Sequence, residues 1–192
     1  GKVILITGAG KGRGRILAQA FAEAGALVAA NDISPINLDS LVSNGNKRIT
    51  AFVEDVAKKV GAQNLIKQVE DEFGRIDVLI NHAAVEPRAS LLDMDEWDWH
   101  RVLDVNLTGA FLMIQSTGRV MRSQGSGAIV NLISGSSRDE GNEAAFAASM
   151  KALEALSHRA ALELNPHGIR VYAVDEAGDT IVETVFSLLE EK

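Results

Sequence analysis

Six short apolar runs, at residues 3–6, 26–30, 49–53, 76–80, 128–133 and 169–174, alternate with longer amphipathic stretches from one end of the chain to the other. The runs are apolar almost throughout, as expected of strands covered on both faces. Between them, patterns such as Leu17-Ala18-x-x-Phe21-Ala22 and Leu65-Ile66-x-x-Val69-x-x-x-Phe73 put apolar side chains on one face of a helix. Strand alternating with helix demands crossover connections, and right-handed crossovers build a parallel sheet with helices on both sides. The expected fold is therefore α/β, a doubly wound parallel sheet in three α/β/α layers. With 192 residues the chain suffices for one well-buried domain, read here as residues 1–192.

Composition narrows function by exclusion. A formal net charge of −7 argues against nucleic acid or an anionic membrane as a partner. The chain has no cysteine, which removes disulfides and thiol catalysis. No apolar stretch reaches the roughly 18 uncharged residues of a membrane span, and no leader-like segment is read, so the expected location is cytoplasmic. His82, His100, His158 and His167 show no metal-ligand spacing, and no metal site is expected.

Directly after the first apolar run comes Thr7-Gly8-Ala9-Gly10-Lys11-Gly12-Arg13-Gly14, then a helical pattern at 16–24. Glycines at such spacing allow a tight turn and close approach of backbone N–H groups to a pyrophosphate, with the helix N-terminus adding partial positive charge. Because this string follows a strand, opens a helix and is followed by Asp32 after the second strand, it reads as a Rossmann-like dinucleotide site. Asp32 suits an adenosine ribose and would repel a 2′-phosphate, favouring NAD over NADP. It also suits a turn before Ser34-Pro35. A resemblance to NADP-preferring dinucleotide enzymes, which often carry a basic residue at this place, makes Lys11 a hint the other way.

These residues resemble the short-chain dehydrogenase/reductase family, whose glycine string is Thr-Gly-x-x-x-Gly-x-Gly. The likeness runs from Lys2 to Val174. It implies an NAD-dependent oxidoreductase with cofactor contacts at Gly8, Lys11, Gly12, Arg13, Gly14, Asp32, Asp55, Val56, Asn81 and Ala83. Asp55-Val56 would meet the adenine ring. Asn81-His82-Ala83-Ala84 stands for the family's Asn-Asn-Ala-Gly: Asn81 would tie the strand end to neighbouring backbone, Ala83 would face the ribose, and His82 reads as a solvated loop histidine. Arg13 replaces an apolar residue and either clamps the phosphates or fills their pocket. The Pro-Gly that lines the nicotinamide end in the family is Glu176-Ala177 here or lies in a missing stretch.

The catalytic half departs from the family. Asn106 and Ser134 match its asparagine and serine, but the Tyr-x-x-x-Lys of the active-site helix reads Phe146 and Met150. A benzyl ring has no proton to transfer, and a thioether can neither lower a pKa nor hold a nicotinamide ribose. Losing general acid–base help costs about 10²–10⁴-fold in rate. Lys151 is turned about 100° around the helix and should point elsewhere. Ser136, Ser137, Asp139 and Glu140 read as loop residues, and the one tyrosine, Tyr172, lies in a later apolar run. With the tyrosine gone, Asn106 and Ser134 read as structural hydrogen-bonding residues.

The family assembles through the helices corresponding to 106–123 and 142–164, which are rich in small and apolar residues here. The resemblance thus implies a homo- or hetero-oligomer. A chain stripped of proton-transfer groups would serve as the non-catalytic subunit beside an active paralogue. An enzyme of altered chemistry using Ser134 and a dinucleotide sensor are the alternatives. Against the family, the lobe over the substrate is shortened or missing around 174–175, and the last strand is absent.

Overall fold

The structure is a computed structural model that describes residues 1–43, 45, 47–134, 143–175 and 180–190. Six strands, β1 (Val3–Thr7), β2 (Leu27–Asp32), β3 (Ile49–Val53), β4 (Val78–Asn81), β5 (Gly127–Ile133) and β6 (Ile169–Asp175), form one sheet in the order β3-β2-β1-β4-β5-β6. Every pairing is parallel, with Leu5 opposite Ala29 and Leu79, and Ile129 opposite Val171. This is the expected doubly wound fold. Each strand lies within two residues of its apolar run, because strands buried on both faces must be apolar on both.

Alternate side chains feed two cores. On one side Ile4, Ile6, Val28 and Val130 pack against α1 (Gly12–Glu23), α2 (Pro35–Val42) and α7 (Ile181–Glu190). On the other, Val3, Leu5, Leu79 and Ile129 pack against α3 (Lys59–Phe73), α5 (Ala110–Gln124) and α6 (Ala144–Leu164). Phe21 of α1 stacks on Phe186 of α7 with ring centroids 4.5 Å apart, which docks the last helix. Chain direction across the sheet reverses between β1 and β4. Loops leaving the carboxyl ends of those two strands diverge there, opening the crevice where ligands of such sheets bind.

α4 (Glu96–Leu103) runs into a π-helical turn, Asp104–Gly109, before α5. Such bulges mark a local demand that an ordinary α-turn cannot meet. Here the demand is Asn106, which faces inward to bind the loop after β4.

Candidate functional site

The first helix begins at Gly12, four residues before the expected start, so Gly12, Arg13 and Gly14 form its first turn rather than a loop ahead of it. Gly8 and Gly12 have φ of 66° and 56°, where a side chain is strained. A Cβ on Gly14 would lie 2.5 Å from the Gly8 carbonyl oxygen, so only glycine lets the helix close onto the strand end. Gly10, which the sequence reading passed over, is equally constrained: its Cβ would meet Asp32 Oδ2 at 2.7 Å. Its signal was the extra glycine within the string. No side chain caps α1, whereas Ser34 caps α2 and Asp95 caps α4. Uncapped N–H groups beside a glycine turn fit a pyrophosphate.

Asp32 is 7 % exposed. One carboxylate oxygen accepts from Gly10 N–H at 3.1 Å and the other from Ser34 N–H at 2.9 Å. It makes the turn before α2, and it also lines the cleft with lone pairs to spare.

That cleft, about 580 Å³, lies over the carboxyl ends of β1 to β4. Of the residues read as cofactor contacts, Gly8, Lys11, Asp32, Asp55, Val56 and Ala83 line it; Gly12, Arg13, Gly14 and Asn81 do not. The two glycines shape the turn, and Arg13 is half-buried in the first turn of α1. Asn81 needs correction. Its Nδ2 donates to the Asn131 side chain at 2.8 Å, Asn131 donates to Ser157 at 2.9 Å, and Ser157 donates to the Leu153 carbonyl at 2.6 Å. It ties β4 to β5 and α6 through side chains, not through neighbouring backbone. The strand end is held instead by Thr7, whose hydroxyl accepts from the N–H groups of both His82 and Ala83 at 3.1 Å. His82 is also corrected: it is half-buried, with Nδ1 3.1 Å from the Gly8 carbonyl. The sequence reading missed the α4 contribution as well, where Trp97, His100, Arg101 and Asp104 form a wall and Arg101 stacks over Trp97 at 5.2 Å.

In the catalytic half Ser134 meets Met150, and Asn106 reaches the same helix beside it through Ser149. Asn106 accepts from Val85 N–H at 2.9 Å and donates to the Val85 carbonyl at 3.1 Å and to Ser149 Oγ at 3.0 Å. Ser149 in turn donates to the Phe146 carbonyl at 2.7 Å. Met150 is 5 % exposed, and its sulfur accepts from Ser134 N–H at 3.5 Å. Asn106 thus acts as a clamp between the β4 loop and α6, in keeping with its structural reading. Lys151 points outward and pairs with Glu154 at 2.9 Å. That hydrogen bond raises the pKa of Lys151 and lowers that of Glu154. Tyr172 packs on the α1–α7 face of the sheet, opposite the face that receives Leu156 and Ala160 of α6. Ser136, Ser137, Asp139, Glu140, Glu176 and Ala177 lie outside the described residues, as does position 142, the start of the second assembly segment. Among the described residues no group of three His, Asp or Glu is placed to hold a metal, and no helix is long and apolar enough to cross a membrane.

A glycine turn on a parallel strand, an uncapped helix start, a strand-end aspartate and a cleft at the sheet's switch point define an α/β protein of the Rossmann-like class. The chain belongs to the short-chain dehydrogenase family, whose sequence model matches residues 2–184. It is similar to the 3-oxoacyl-[acyl-carrier-protein] reductase FabG of Thermotoga maritima, 38% identical over 91% of this chain and 72% of that protein. It is also similar to the (2S)-[(R)-hydroxy(phenyl)methyl]succinyl-CoA dehydrogenase subunit BbsD of Thauera aromatica, 33% identical over 90% of this chain and 71% of that one. A xylitol dehydrogenase solved with NAD+ superposes with a TM-score of 0.86 at 31% identity, covering 100% of this chain and 78% of its own.

Proposed function

We propose that this chain is an NAD-binding, non-catalytic subunit of a short-chain dehydrogenase that oxidises a hydroxyl group to a ketone. The observation that carries the reading is the Phe146–Met150 face of α6. Met150 is buried against the Ser134 backbone, so residue 150 puts a thioether, not an ammonium, beside the serine, and residue 146 offers no hydroxyl. Neither Lys151 nor Tyr172 is placed to replace them.

The residues that remain suit the cofactor itself. The Gly8–Gly14 turn and the start of α1 would hold the pyrophosphate, Asp32 the adenosine ribose, and Asp55 and Val56 the adenine. Four carboxylates (Asp32, Glu54, Asp55, Asp104) line the cleft against three permanent cations (Lys11, Lys58, Arg101), a balance that supports NAD over NADP. When bound, the nicotinamide would supply a hydride acceptor; residues 146 and 150 supply no proton acceptor to match it.

Such a subunit assembles through α5 and α6. A groove of about 280 Å³ between them, floored by Ile114, Gly118 and Ala160, supports an interface there, with another copy or with an active paralogue. A pairing like that of 2-[hydroxy(phenyl)methyl]-succinyl-CoA dehydrogenase is the arrangement proposed, in the cytoplasm. The lobe over the substrate would then be shortened or missing around 174–175.

Titration calorimetry with NAD, beside a turnover assay on secondary alcohols, tests the reading. Binding without turnover is the expected result, and turnover at ordinary dehydrogenase rates by the purified homomer overturns it. The relatives named as reductase and dehydrogenase favour a second reading, an active oxidoreductase in which Ser134 orients the substrate and another group moves the proton. Loss of such turnover in Ser134→Ala would support that one.

A further inference from the structure

His82 stands where the family's Asn-Asn-Ala-Gly carries its second asparagine. A carbonyl oxygen can only accept, so at 3.1 Å from the Gly8 oxygen the Nδ1 atom bears the proton and donates. The ring also occupies space that two glycines leave open: Cβ atoms on Gly8 and Gly14 would lie 3.1 Å and 2.6 Å from Nδ1. Its own backbone N–H is held by Thr7 Oγ1 at 3.1 Å. The imidazole therefore bolts the end of β4 to the β1–α1 turn, and it lines the cleft.

We propose that His82 is a positioning residue for the dinucleotide's pyrophosphate, and that its imidazolium form adds a proton-dependent charge to that site. This rests on the dinucleotide reading above. The charged groups that line the cleft with it include Lys11, Asp32, Glu54, Asp55, Lys58, Arg101 and Asp104. An imidazole is the side chain that ordinarily changes charge near neutral pH, and His82 and His100 are the imidazoles that line the cleft among the described residues. A pyrophosphate beside an imidazolium stabilises it, so binding takes up a proton. Affinity is then greatest below the free imidazole's pKa and falls as pH rises through the range of the complex.

Calorimetric titration with NAD and with ADP-ribose, whose pyrophosphates do not titrate in this range, tests the proposal. The wild-type Kd should rise about three- to tenfold between pH 6 and 8. His82→Asn, which keeps an N–H for the Gly8 carbonyl, should abolish that slope with Kd at pH 8 within about twofold of wild type. His82→Ala should weaken binding at every pH, and His100→Gln should keep the slope. A slope that survives in His82→Asn, or is missing from wild type, overturns the His82 assignment and leaves the cofactor reading standing. Failure of wild type to bind either probe overturns both. In the ligand-free protein, nitrogen NMR should show the Nδ1–H tautomer for His82, and the Nε2–H tautomer would overturn the bolt.

Discussion

Replacing Asn106 with leucine tests whether this asparagine is a structural clamp. The side chain is 1 % exposed and makes three hydrogen bonds, two to the backbone of Val85 and one to Ser149. Leucine has nearly the same size and none of the polar atoms. Its introduction leaves the Val85 N–H and carbonyl without their partner, at about 1–3 kcal/mol for each group kept from water. Val85 is half-buried, so some solvent returns, and a total of about 3 kcal/mol is expected. For a chain of this length that lowers the melting temperature by about 6–12 °C. Urea unfolding followed by circular dichroism measures it, with an unchanged m-value showing that the same surface is exposed. Ser149→Ala in a double-mutant cycle should reveal coupling of about 0.5–1.5 kcal/mol. A loss below about 0.5 kcal/mol for Asn106→Leu would refute the clamp and return the residue to a purely catalytic ancestry.

Gly14→Ala should cost about 1–3 kcal/mol in stability and abolish NAD binding, since its Cβ meets backbone at 2.5 Å; binding calorimetry and thermal melts check both. Thr117→Val should be neutral or stabilising by up to about 1 kcal/mol, because its buried hydroxyl has no hydrogen-bond partner among the described residues; denaturant titration decides. Phe146→Tyr with Met150→Lys should restore measurable alcohol-dependent NADH formation, at the cost of a lower melting temperature because residue 150 is buried. NAD binding with no gain of activity would count against a merely disarmed site. The Lys151–Glu154 pair is exposed, and its partner lowers the Glu154 pKa, so its stabilising effect is present above the unfolded carboxyl's pKa and lost as pH falls through the folded one. Lys151→Ala should therefore leave the melting temperature at pH 7 within about a degree.

Much of the fold was legible because burial on both faces forces continuous apolar runs, and six such runs became six strands. The glycine turn was legible for a similar reason: Gly8 and Gly12 sit at positive φ, and Gly14 leaves no room for a Cβ beside the Gly8 carbonyl. His82 and Asn81 were not. A histidine after a strand has no local signature of burial, and its inward turn depends on the space left by two glycines about seventy residues earlier. The Asn81 partner lies on β5, fifty residues away, and only strand pairing brings it near. Trp97 and Arg101 escaped notice because helix α4 reaches the cleft through a connection whose path nothing in its residues specifies.

Residue order alone thus determined which segments are strands, where the backbone must turn on glycine, and that residues 146 and 150 carry neither a hydroxyl nor a charge. These are properties of single residues and their immediate neighbours. Tertiary packing decided that Met150 points at Ser134, that Asn106 spans two elements and that His82 closes on the glycine turn, because each depends on distances set by strand order and helix docking across the whole sheet.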